Sequence, residues 1–214
     1  MKILYKFLVP LLCVAVIALG VFAPLFHISI TSALAGDLNQ TTGLPEYSSV
    51  MDFAKMSKNM DETRGTILKS LLTAITDPTS SIGAKLTNIK YLKAAGVVAL
   101  VMVVFLLATA VVAAATKQYW LTVVLSALSL ITGVVSSKLF DAFAKPFLTG
   151  KISLSSLLGN SGGDLTSGLL GSLMNNVVKV EALELAWAWQ AMSLLMVAIL
   201  LFTGGWFIKK RFME

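Results

Sequence analysis

Of the 214 residues, one is a cysteine and one a histidine. Cys13 therefore forms no intramolecular disulfide, and a thiol-ligated metal site lacks its ligands. His27 has no second imidazole with which to share a metal, and we read it as an interfacial side chain. Charge is scarce too, at 13% of residues against 57% hydrophobic, which leaves too little polar surface to coat a soluble globule of this length. Catalytic patterns are missing as well. No G-x-S-x-G elbow occurs, no histidine partners the many serines, and Lys138 cannot face its neighbour Ser137 on a helix. We expect neither enzymatic activity nor a cofactor. The net charge of +6 resides largely in Lys117 and Lys209-Lys210-Arg211, with no basic stripe interleaved with aromatics, so no nucleic-acid partner is expected.

What is present is apolar sequence in long runs. Ala94 to Ser137 holds two such runs joined by Thr116-Lys117-Gln118, and each is long enough to cross a bilayer as a helix, about 20 residues at 1.5 Å rise. Before them, Lys2 and Lys6 precede an uncharged stretch from Phe7 to Gly36. Ala33-Leu34-Ala35 fits a signal-peptidase site, but the run Phe7 to Phe26 exceeds the usual signal core, so an uncleaved signal anchor is the favoured reading. Pro10 falls in its first turns, where a missing N–H is cheap. Cys13 is a small buried hydrophobe within it.

The expected fold class is an all-α integral membrane protein with four transmembrane helices and two mainly helical extracytoplasmic segments. The spans are 1–26, 94–116, 119–138 and 184–208, with a cytoplasmic turn at 117–118 and a basic cytoplasmic tail at 209–214. The outer segments are 27–93 and 139–183. In the first, His27-Ile28-Ser29-Ile30-Thr31 alternates polar and apolar residues, as a small outer β element would. Phe53, Met56, Met60, Ile67, Leu71 and Ile75 then share one side of an amphipathic helix from about Glu46 to Thr76, stopped by Asp77-Pro78. Such a stripe is a docking face, because it presents more apolar surface than a solvated helix leaves bare. Ile82, Leu86, Ile89 and Leu92 continue as a helix into the second span. In the second outer segment, Leu165, Leu169, Leu173 and Val177 form a shorter apolar stripe after the glycine-rich residues 159–163.

Charge orients the spans. The side holding both termini and Lys117 carries six basic residues and one acidic, net +5, whereas the other carries eleven and ten, net +1. Short basic segments stay cytoplasmic, so both termini are expected inside the plasma membrane. Tyr5, Tyr119, Trp120 and Trp206 then fall near the inner interface, and Tyr91, Trp187 and Trp189 near the outer one. Lys138 and Glu184, at the outer ends of spans three and four, are near enough to pair across the bundle, but solvated or snorkelling interfacial charges are the favoured reading. Four spans with both termini inside and a larger first outer loop resemble the layout of claudin-like proteins. The paired cysteines of the claudin loop are missing, so no residue role is carried over.

The third span holds Thr122, Ser126, Ser129, Gly133 and Ser137 at spacings of four, three, four and four, hence on one face. Small residues there let helix backbones approach, which is how helices associate where lipid supplies no hydrophobic drive. The expected function is a non-enzymatic membrane subunit or scaffold whose outer helices bind another membrane protein or a second copy. The alternative is a small transporter, channel or channel accessory, with Gln190 and Ser193 completing a polar path; the absence of ionisable residues at the centre of any span speaks against it.

Overall fold

The computed structural model describes residues 2–32, 36–37, 46–52, 55, 89–116, 118–149 and 178–212. It is mostly helical, with four helices long and apolar enough to cross a membrane: α1 (Lys2–Phe22), α2 (Ile89–Ala115), α3 (Tyr119–Leu148) and α4 (Trp187–Phe212). Four strands accompany them, β1 (Phe26–Ser32), β2 (Gly36–Asp37), β3 (Tyr47–Ser48) and β4 (Val178–Leu185). The described residues form two compact units. One comprises Met1–Ala23, Ala94–Leu139 and Trp187–Glu214; the other comprises Pro24–Lys93 and Phe140–Ala186.

In the helical unit each helix buries a narrow stripe. On α1 it is Tyr5, Val9, Cys13 and Val16; on α2, Ala95, Met102, Leu106, Thr109 and Ala113; on α4, Ala188, Met192, Met196, Ile199 and Thr203. Steps of three, four or seven residues keep each stripe on one side of its helix. The remaining faces carry exposed aliphatic and aromatic side chains, such as Phe7, Leu100, Val104, Ile131 and Leu201. Pro10 lies inside α1 beyond its first turn, so its missing N–H takes the i+4 donor from the Lys6 carbonyl, contrary to the expectation of a cheap position near the start.

The sheet is built around β1, which pairs antiparallel with all three other strands. Its partnership with β4 runs the full length, from Phe26↔Leu185 to Ser32↔Val178, with a register shift between Ser29 and Ile30. Pairing with β3 is limited to Phe26↔Ser48 and His27↔Tyr47, and that with β2 to Thr31↔Asp37 and Ser32↔Gly36. The apolar Phe26, Ile28 and Ile30 therefore share one face of β1, while His27, Ser29 and Thr31 share the other. The Phe26 ring packs against Phe140, 5.5 Å between centroids.

Three features depart from the mainly helical outer segments. The first segment begins as β1–β3, and Tyr47–Ser48 is strand where the amphipathic helix was expected to start; helical backbone begins at residue 50. Ser49 and Asp52 cap that start reciprocally: the Ser49 amide and hydroxyl donate to Asp52 Oδ2 (3.0 and 2.7 Å), and the Asp52 amide donates to Ser49 Oγ (3.1 Å). These bonds hold the Asp52 carboxyl below the usual carboxylate range. Second, β4 occupies a stretch read as loop and the beginning of the fourth span. Its alternation, Val-Lys-Val-Glu, slips at Ala182-Leu183, next to the register shift, and an interrupted period is easily missed. Third, α3 extends ten residues beyond Lys138. Lys138, Asp141 and Lys145 lower the hydropathy there, but the helical period continues in Phe140, Phe143, Ala144 and Phe147, all buried.

Candidate functional site

The polar stripe of α3 has the most developed geometry in the helical unit. Thr122, Ser126 and Ser129 are almost completely buried and Gly133 is buried with them. Ser137 is only half-buried, and its hydroxyl donates to the Val134 carbonyl of its own helix. The adjacent Ser136 is the buried residue, and its hydroxyl donates to the Ala95 carbonyl of α2 at 3.0 Å. Ser136 lies three residues on from Gly133, a step that keeps it on the same side of the helix. Spacing alone places Ser136 and Ser137 almost equally well on the stripe, and burial selects Ser136.

Each of the other helices is reached from a different level of this stripe. The Tyr5 phenol of α1 meets the Thr122 hydroxyl at 2.8 Å. Because Thr122 can donate its own proton to the Tyr119 carbonyl at 2.8 Å, the arrangement that uses every proton has Tyr5 donating to Thr122. Ser126 meets Thr203 of α4 at 3.2 Å, with back-bonds to Val123 and Ile199 available to the two hydroxyls. Ser136 meets α2. Between these levels sits Gly133, where a Cβ would lie 2.9 Å from Met196 Cε and 3.2 Å from Met102 Sδ. Thioethers on both neighbours thus close over the space a side chain would take, and Met suits such an irregular contact.

Aromatic rings gather around the Tyr5–Thr122 bond. Tyr119 meets Tyr5 edge-on at 5.2 Å, and Trp206 and Phe202 stack on it at 5.3 and 6.0 Å. Three of the four residues assigned from sequence to the inner interface are therefore brought together, with Tyr5 buried among them at 1% exposed. The Trp206 indole N–H is buried with no acceptor among the described residues. Gln190 and Ser193 do not join the α3 stripe: Gln190 is exposed, and Ser193 donates to the Trp189 carbonyl of its own helix.

In the sheet unit, polar side chains converge on His27. Its Nδ1 lies 3.1 Å from Glu184 Oε1 and its Nε2 3.1 Å from Glu46 Oε1, while the Tyr47 ring stacks on the imidazole at 4.6 Å and 7°. Glu184 is the cross-strand partner of His27, and its carboxylate meets the imidazole. Thr31 donates to Glu181 farther along the same ladder, at 2.9 Å. Among the described residues no group of three or more histidine, cysteine, aspartate or glutamate side chains is arranged to hold a metal ion. The stripe Phe53, Met56, Met60, Ile67, Leu71 and Ile75 lies outside the described residues, as do Leu165, Leu169, Leu173 and Val177. Compared with family models, with curated proteins and with solved structures, the chain matches none.

Proposed function

We propose that this chain is a non-enzymatic four-span membrane subunit or scaffold, inserted with both termini cytoplasmic, whose outer segments bind another membrane protein or a second copy. The observation that carries this reading is the use made of the α3 stripe. Its hydroxyls at Thr122, Ser126 and Ser136 meet Tyr5, Thr203 and the Ala95 carbonyl, and Met102 and Met196 flank Gly133, so these groups join α3 to its three neighbours, as a packing face would. The exposed aliphatic faces of the four helices are those that lipid would cover.

Retention of α1 as an anchor has support from the sheet. β1, to which every other strand pairs, precedes Ala33-Leu34-Ala35, and cleavage there would remove it together with α1. A scaffold needs a docking element, and the apolar stripe Phe53, Met56, Met60, Ile67, Leu71 and Ile75 is the candidate. The test is Phe53→Asp combined with Met60→Asp, followed by crosslinking mass spectrometry in native membranes. The double variant should lose a crosslinked partner or its oligomer while all four spans stay inserted. Misfolding of the variant, with no partner crosslinked to the native chain, would instead assign the stripe to the chain's own interior and remove the basis for a scaffold.

A further inference from the structure

We propose that His27 is a pH-operated latch of the sheet: as an imidazolium it fastens the β3 segment to β1 and β4, and on losing its proton it lets that segment go. The geometry makes the requirement. Both ring nitrogens face carboxylate oxygens at 3.1 Å, Glu184 on one side and Glu46 on the other. A carboxylate only accepts, so both contacts are hydrogen bonds only if both nitrogens carry protons. Neutral imidazole keeps one N–H, and its other nitrogen then turns a lone pair towards an anion. Tyr47, stacked face to face on the ring, also attracts the cation more than the neutral form. Protonation therefore strengthens three contacts at once.

The consequence falls unevenly. β4 is held to β1 along a ladder from Phe26 to Ser32, but the β3 segment is held by two register pairs and by the flanking bonds Leu25 N–H to Ser48 O (2.9 Å) and Ile28 N–H to Glu46 O (2.8 Å). When the imidazole can satisfy only one carboxylate, the strain is relieved where the backbone holds least, at Glu46–Ser48. Among the described residues the titratable groups facing the ring are Glu46 and Tyr47 from the β3 side and Glu184 from β4, with Glu181 farther along the ladder and engaged by Thr31. The Glu184 bond, reinforced by Glu46 and opposed by burial, raises the imidazole pKa above its ordinary 6.5. A raised folded-state value means the latch is fully closed below about pH 6.5 and is lost as pH rises through the folded value. No other histidine is present to confuse the response.

The experiment uses the full chain in lipid nanodiscs, with its single histidine observed by NMR and amide exchange read at about pH 5.5 and about pH 8.5, corrected for the intrinsic rate. The histidine should titrate above 6.5, and protection of the Leu25 and Ile28 amides should fall about ten-fold or more between the two pH values, while the β1–β4 ladder amides change little. His27→Gln should abolish that difference. Glu46→Gln, which keeps the histidine and needs no new packing, should abolish it too and lower the titration midpoint. A native midpoint at or below 6.5, or an equal loss of Ile28 protection in Glu46→Gln, would overturn the latch.

Discussion

The Tyr5 phenol oxygen stands 2.8 Å from the Thr122 hydroxyl oxygen, joining the first and third helices across 117 positions of sequence. Both side chains are 1% exposed, so neither has water as an alternative partner. In such a setting a hydrogen bond between helices is worth about 0.6 kcal/mol on average and up to about 1.7 kcal/mol. A double-mutant cycle with Tyr5→Phe and Thr122→Val, read by unfolding in mixed micelles, should give a coupling in that range. Strict additivity of the two substitutions would show that the pair is merely adjacent.

Gly133 is expected to tolerate one carbon and no more. The atoms nearest an added Cβ are the ends of Met196 and Met102, which can swing by a few tenths of an ångström, so Gly133→Ala should be mild. Gly133→Leu overfills the seam and should cost roughly 1–3 kcal/mol, whereas Leu at the exposed Val134 should change little. Thermal denaturation of the three variants in one detergent compares them directly. Equal losses at the two positions would mean that the seam does not run through Gly133.

Neighbouring serines separate a seam with steps of four and three from one with steps of four and four. Ser136→Ala removes the donor to the Ala95 carbonyl, and Ser137→Ala removes only a bond within α3. The first should lower detergent stability by about 0.5–1.5 kcal/mol and the second by less. The reverse order would return the seam to Ser137.

The topology rests on net +5 for one side against +1 for the other. With Cys13→Ser as background, single cysteines at Asn39 and Ser161 should react with an impermeant thiol reagent in intact cells. One at Gln118 should stay unlabelled until the membrane is opened. Labelling confined to Gln118 would invert the orientation.

How much was legible depended on period and length. Runs such as Val97–Ala115 are apolar over so many residues that four long helices follow from hydropathy alone. The alternation His27–Thr31 sufficed to expect a strand, and β1 occupies Phe26–Ser32. Its main partner is hidden in the sequence, because β4 changes phase at Ala182-Leu183 and ends at Leu185, against the next apolar run. The extension of α3 was hidden for the opposite reason. Lys138, Asp141 and Lys145 signalled a loop by composition, although Phe140, Phe143 and Phe147 kept the helical step.

The amino-acid sequence alone determined the apolar helices, most of the small-residue face of α3 and the presence of a single cysteine and a single histidine, since these depend on composition and on spacing within one element. Only the tertiary structure decided which side chains meet. That His27 lies between Glu46 and Glu184, 19 and 157 positions away, depends on how β1 registers against β3 and β4. That Ser136 rather than Ser137 reaches a neighbour depends on which side of α3 the Ala95 carbonyl of α2 lies against. Register and helix packing are properties of pairs of elements, and a period read along a single segment carries neither.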